Sequence, residues 1–421
     1  MNEKLLQYIW QYRYFNQNDL YLDSGERIQI IFAGLPNHNQ GPDFLDARIK
    51  IESTLWIGHI EIHMHTSDWY KHVHDEDSNY DNVILHVVME NDYPMRDGKI
   101  PLLVLHQRIP RLLLAKCEEW MNSQAFIPCA GTASQVDHLV WQSWKNRLVR
   151  ERLDRRAEEL FKLLGQNNFH WEQIFWWKIA GNFGFRVNAN AFESIAKTLS
   201  LNLLARHKNQ LIQLEAFLMG QAGLLNRKFS DLYPQMLKKE FQFLKSKYQL
   251  KPVFEPIHFL RMRPGNFPTI RISQLAALIH RSTHLFSVIR EIKELHSLRS
   301  LLNVSANDYW NRHYRFDEES VFMIKTLGAQ MIDNLLINTI APMLYSYGWF
   351  HKNDELQERV LRWLDEIPQE NNSIIEKWKK LGIGTETAIS TQALLELKSQ
   401  YCDNRKCLGC SIGNAILKKL V

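Results

Sequence analysis

The sequence has little that would carry a chain into or across a membrane, and a reducing, aqueous compartment is the expectation. No apolar run approaches the ~20 residues a membrane helix needs. Residues 1–15, MNEKLLQYIWQYRYF, show no basic start, apolar middle or small-residue cleavage site of a secretory leader. Cysteine is scarce. Five among 421 residues is an odd count, with three crowded near the C-terminal end, so a disulfide framework is not expected. These absences predict a soluble cytoplasmic protein without a membrane partner. Chemistry is narrowed in the same way. There is no Gly-rich phosphate loop, no G-x-S-x-G elbow and no dinucleotide fingerprint, which argues against nucleotide-driven, serine-hydrolase and Rossmann oxidoreductase readings. No internal repeat or low-complexity tract is found.

What is present suits globular domains. Hydrophobic content of 45% supplies ample core, and 421 residues imply two or three domains. Charge is unevenly placed. Residues 1–130 carry 11 Lys/Arg against 18 Asp/Glu, a net −7, and the remainder carries 40 against 28, a net +12. An acidic segment joined to a basic one suits a carboxylate-rich site served by a surface that attracts polyanions.

Hydrophobic periodicity predicts an α+β protein. A helix over 4–16 is followed by strands at 27–33, 47–52 and 55–65, a polar stretch at 66–82 with a short helix after Ser67, and near-continuous apolar strands at 83–89 and 101–105. Residues 108–122 resume helical spacing. Residues 1–130 thus read as a small α/β domain. Residues 131–421 read as a mainly α-helical domain with a C-terminal cysteine cluster. Its helical patterns lie at 137–164, 189–204, 209–225, 273–301 and 318–347, with Pro-containing breaks at 251–268. The run RLVRERLDRRAEEL, with Glu151 and Arg155 at i,i+4, suits a solvated helix face better than a nucleic-acid site.

The third strand carries the chemistry. Alternation puts Trp56, Gly58, Ile60, Ile62 and Met64 on one face and Ile57, His59, Glu61, His63 and His65 on the other. A carboxylate between imidazoles can hold a divalent ion or move protons. Upstream, either Asp43 or Asp46 can lie beside Glu61 if the strands pair as a hairpin. Carboxylates on adjacent strands would hold Mg²⁺ or Mn²⁺ with positions open for phosphate oxygens. His72, His74 and His86, with Asp68, Asp75 and Asp77, form an alternative metal cluster, and Trp69 reads as a packing anchor.

Pro42-Asp43 and Glu61-Ile62-His63, in helix–strand–strand–strand order, resemble the PD-(D/E)XK nuclease superfamily over residues 1–106. The resemblance implies a restriction-endonuclease-like fold with Asp43 and Glu61 as metal ligands and His63 where the superfamily has lysine. Asp46, His65 and His59 would be supporting groups. The segments GPDFLDARI (41–49), GHIEIHMHTSDW (58–69), RMRPGNFPTIRISQLA (261–276) and YCDNRKCLGCSIG (401–413) resemble, over the whole chain, a bacterial family known only as a domain of unknown function.

Two further motifs stand out. Cys402, Cys407 and Cys410 have the C-x₄-C-x₂-C spacing of soft-metal ligands, and Cys129 is preferred over Cys117 as a fourth because Cys117 falls within a helical run. Zinc and an iron–sulfur cluster both fit four thiolates. Some DNA-repair nucleases and glycosylases are similar in carrying a four-cysteine iron–sulfur staple. In the loop 259–272, Arg261, Arg263 and Arg271 offer planar forks for phosphates, or for carboxylates such as Glu215. The leading expectation is a divalent-metal-dependent nuclease or nuclease-derived protein acting on DNA or RNA. A non-catalytic nucleic-acid-binding module and a His/carboxylate metallohydrolase of small molecules are the alternatives.

Overall fold

The computed structural model describes residues 3–420 apart from 38, 95–99, 252, 261–262 and 283. Its contacts divide the chain into two units. The first comprises Met1–Lys145, Glu376–Gly384 and Leu394–Val421, and the second Asn146–Ile375 and Thr385–Ala393. This differs from the expected division after residue 130. The chain passes from one unit to the other inside a long helix, and the cysteine-bearing end belongs with the first unit. A division in mid-helix leaves no loop or composition break for the sequence to display.

The first unit opens with α1 (Glu3–Tyr12), which buries Leu5, Leu6, Ile9 and Trp10. The Trp10 indole donates to the Ala33 carbonyl at 2.9 Å. Six strands follow: β1 (Ile28–Phe32), β2 (Leu35–Pro36), β3 (Phe44–Ile51), β4 (Thr54–His65), β5 (Val83–Glu90) and β6 (Leu102–Val104). Their order is β1-β3-β4-β5-β6, with β2 also on β3. β1, β3 and β4 run antiparallel, whereas β4, β5 and β6 are parallel. A parallel pair needs a crossover connection. Residues 66–82 make it between β4 and β5, carrying the one-turn helix α2 (Asp68–Lys71) and a 3₁₀ turn at Ser78–Tyr80. α3 (Arg111–Asn122) begins after Pro110, which suits the first turn of a helix because proline lacks an N–H.

The second unit is mainly helical, as expected. It receives most of α4 (His138–Gly165), followed by α5 (Trp171–Phe183), α6 (Phe185–Thr198), α7 (Leu201–Arg206), α8 (Leu211–Gln221), α9 (Leu232–Tyr248) and α10 (Pro268–Arg281). The α8–α9 contact is close because Gly220 leaves room for the Phe241 ring, whose carbons lie 2.2 Å from where a Cβ would sit. Beside it Glu215, fully buried, accepts hydrogen bonds from Tyr233 and Ser273, and burial pushes its carboxyl up to about 7. The helix expected from 318 starts at Ala329. Residues His313–Arg315 and Glu318–Glu319 instead form a hairpin turning at Asp317, whose φ is +63°. On α4, Glu151 pairs with Arg147 and Arg155 with Glu159. Arg150 reaches Glu358, and Arg156 contacts Asn338, so this charged run serves helix packing. Among the described residues, no helix is long and apolar enough to cross a membrane.

Candidate metal centre

The strand face singled out by alternation is buried at Glu61 and His63, while Ile57 is exposed and His59 and His65 are half-buried. Glu61 is 5% exposed, His63 1% and His86, its neighbour on β5, fully buried. Burial follows from the crossover, which lays residues 66–82 across this face. His72 and His74 come down from it. One ring nitrogen from each of His63, His72 and His74 lies within 4.8 Å of the others. The Glu61 carboxylate is at their edge, with Oε1 3.4 Å from Nε2 of both His63 and His74. Trp69, 3% exposed, is a packing anchor, with its ring 5.4 Å from His74 and 5.1 Å from His86. Tyr80 stacks on His74 at 3.8 Å.

Burial disfavours the charged form of two of these imidazoles, His63 and His86. Burial, then the neighbouring His86, lowers His63 to about 3, and burial does the same to His86. Both are therefore neutral near pH 7, with a lone pair apiece. His63 Nδ1 lies 2.9 Å from His86 Nε2, and His63 Nε2 lies 3.1 Å from His72 Nδ1. If His63 donates to His86 through Nδ1, its Nε2 lone pair faces His72, His74 and Glu61. Such a partner on the second nitrogen is how ligating histidines are oriented. His74 Nε2 is buried and makes no hydrogen bond. A buried ring nitrogen without a hydrogen bond, 3.4 Å from the Glu61 carboxylate and beside two more imidazoles, fits a cation in the midst of them.

Asp43 adjoins this group through Glu61. The Asp43 backbone N–H donates to Glu61 Oε2 at 3.0 Å, and the Ile62 N–H donates back to Asp43 Oδ2 at 3.1 Å. Gln7 of α1 donates to Asp43 Oδ1 at 2.8 Å. Burial, then the charge of Glu61, raises the Asp43 carboxyl to about 7. Glu3, one turn before Gln7, is also raised, by burial and then Glu61.

Of the expected site residues, Asp43, Glu61 and His63 converge. Asp46, His59 and His65 stand apart. β3 has a register irregularity between Phe44 and Ala47, and Asp46, at φ +56°, is exposed. Its N–H meets His59 Nδ1 at 3.3 Å. His65 pairs with Asp68 at 3.4 Å, and Asp68 also pairs with Lys71. Asp77 caps the 3₁₀ turn. The contributions of Gln7, Glu3 and Tyr80 were missed. Their only sequence signal is a polar side to an otherwise apolar helix and a tyrosine in a polar loop.

The arginine loop resolves differently. Arg261 lies outside the described residues, and Arg263 is exposed. Arg271, expected on a phosphate, is instead 6% exposed inside the second unit. It bonds Gln274 and Asn266, with its guanidinium 5.1 Å from the Phe185 ring centre. Proline and glycine place this arginine at the start of α10, where Gln274 and Asn266 take up its two terminal nitrogens and Nε is left buried without a partner.

In the first unit, α1, Asp43, α3 and residues 401–409 line an open cavity of about 1270 Å³. Lys4, Arg405 and Lys406 line it, as do Gln7 and Asp43. Asp43 therefore belongs both to this cavity and to the Glu61–histidine group. Over residues 3–373 the chain matches the family model described as protein of unknown function (DUF2851). No curated protein and no solved structure matches it.

Proposed function

We propose that this protein, which belongs to the DUF2851 family of unknown function, is a divalent-metal-dependent hydrolase that cuts phosphodiester bonds in nucleic acid. The observation that carries the reading is the convergence of Glu61 with His63, His72 and His74. Glu61, His63, His72 and His74 would hold the ion. Three imidazoles favour Zn²⁺ or Fe²⁺ over the Mg²⁺ or Mn²⁺ that a carboxylate pair alone would suit. Bound there, the ion supplies Lewis-acid charge to a phosphoryl group.

The chain's own groups have distinct tasks. Asp43 at about 7 is poised to take a proton from an attacking water and return it to the leaving oxygen near neutral pH. Gln7 and the Ile62 N–H fix the orientation of that carboxyl. His86 holds His63 neutral and aligned. A cavity of about 1270 Å³ exceeds the ~300–1,000 Å³ usual for a small ligand, which favours an extended substrate over the small-molecule alternative. The exposed Lys4 and Lys406 suit a polyanionic backbone. Likeness to PD-(D/E)XK nucleases at Asp43, Glu61 and His63 points the same way.

The test is cleavage of single- and double-stranded DNA and RNA with Mn²⁺, Zn²⁺ or Mg²⁺. Glu61→Ala should lose roughly a hundredfold or more of the rate while keeping its fold, as expected for loss of a ligand or acid–base group. A folded, metal-loaded wild type that binds nucleic acid with steep salt dependence and never cuts it would instead mark a binding module.

A further inference from the structure

The cysteines form a second site in the same unit. Cys402 ends the helical segment Leu397–Cys402, and Cys407 and Cys410 flank a turn closed by the Cys410 N–H on the Cys407 carbonyl. Cys129 arrives from far earlier in the chain, in the turn after α3 where its carbonyl accepts from Thr132 and Ala133. All four line one small chamber, with Trp120, Pro128, Tyr401, Lys406 and Gly413 as the rest of its wall. Cys402, Cys407 and Cys410 are 7–8% exposed, and none of the four is in a disulfide. Cys117, although buried on α3, does not line this chamber.

Four thiols around one space, three of them buried and Cys129 half-buried, are a poor apolar core and a good soft-metal site. Among the described residues no three of these sulfurs lie within 4.8 Å of one another. Four sulfurs at about 2.3 Å from a single tetrahedral zinc would stand roughly 3.8 Å apart. The wider spacing suits a multinuclear centre.

We propose that Cys129, Cys402, Cys407 and Cys410 ligate an iron–sulfur cluster, which anchors the segment 401–410 as one wall of the substrate cavity. The anchoring half follows from shared residues. Tyr401 and Lys406 line both the cysteine chamber and the large cavity, and Arg405 is tied to the Ser123 carbonyl at the end of α3. The helix Ser411–Leu417 lies hard against the chamber, since a Cβ on Gly413 would sit 2.2 Å from the Cys407 carbonyl oxygen.

The experiment is metal and sulfide analysis of the full chain purified without oxygen, with visible absorption and electron paramagnetic resonance spectra. The expected result is about two to four irons per chain, matched by acid-labile sulfide. Cys407→Ser and Cys129→Ser should lose most of both, while Cys117→Ser keeps them. One zinc per chain without sulfide would overturn the assignment. So would a wild type that stays colourless after anaerobic reconstitution with ferrous iron and sulfide, or a Cys129→Ser protein with an undiminished cluster. These readouts do not involve the Glu61 site, so the cluster stands or falls apart from the hydrolase reading.

Discussion

Around Glu61, burial displaces titrations in opposite directions. Asp43 moves from 3.8 to about 7, and His63 and His86 move from 6.5 to about 3. For the histidines, the unfolded chain takes up protons below 6.5 that the folded protein refuses until about 3. Their stabilisation is present above 6.5 and drains away as pH falls through that window. For Asp43 the folded state binds its proton first, so that contribution is lost as pH rises from 3.8 to about 7. Two histidines outweigh one aspartate. The melting temperature of the metal-free protein should therefore fall between pH 6.5 and 4 in scanning calorimetry, less steeply in His86→Phe and more steeply in Asp43→Asn. A flat profile in the wild type would remove the buried-neutral account of these rings.

At the scale of elements, β4 and its neighbours decide what the residues can reach. Gly58 marks the tight point. A Cβ there would lie 2.4 Å from Ile84 Cγ2 and 2.6 Å from the Asn82 carbonyl oxygen, at the approach of β5. Gly58→Val should cost about 1–3 kcal/mol by overpacking, read as a lower denaturation midpoint, and should disturb the Glu61–His86 register one step along. The strand and its two faces were legible because period-two alternation is local. The burial of the polar face was not, because it depends on where the parallel crossover lays His72 and His74. Asp43 could be named beside Asp46, but only the irregularity in β3 separates them. Arg271 was misjudged for a related reason. Nothing in its spacing says that Asn266 and Gln274 meet its guanidinium before any phosphate can.

For the whole molecule, what matters is which distant segments a unit collects. The cysteine spacing was legible, and the structure puts Cys129 with Cys402, Cys407 and Cys410 in the lining of one chamber. That the bearing segment also lines the large cavity was not legible, because no local pattern links residue 4 to residue 406. Lys4→Glu and Lys406→Glu should each weaken polyanion binding and lower the slope of log affinity against log salt by about one, measured by fluorescence anisotropy over a salt series. Unchanged slopes would remove this cavity from the binding path.

The return of residues 394–420 to the first unit also governs its schedule during synthesis. β4 and the histidine crossover leave the ribosome early, but Tyr401 packs on Trp144, and Asn414 receives the Tyr14 hydroxyl, only after nearly the whole chain has followed. Until then Trp120 and Cys129 lack the chamber walls that Tyr401 and Gly413 provide. Domains ordinarily fold in order of emergence, yet here the first to emerge is among the last to be finished. A chain interrupted anywhere in the helical unit would carry Glu61 and His63 but lack the 401–409 wall of the cavity that Asp43 lines.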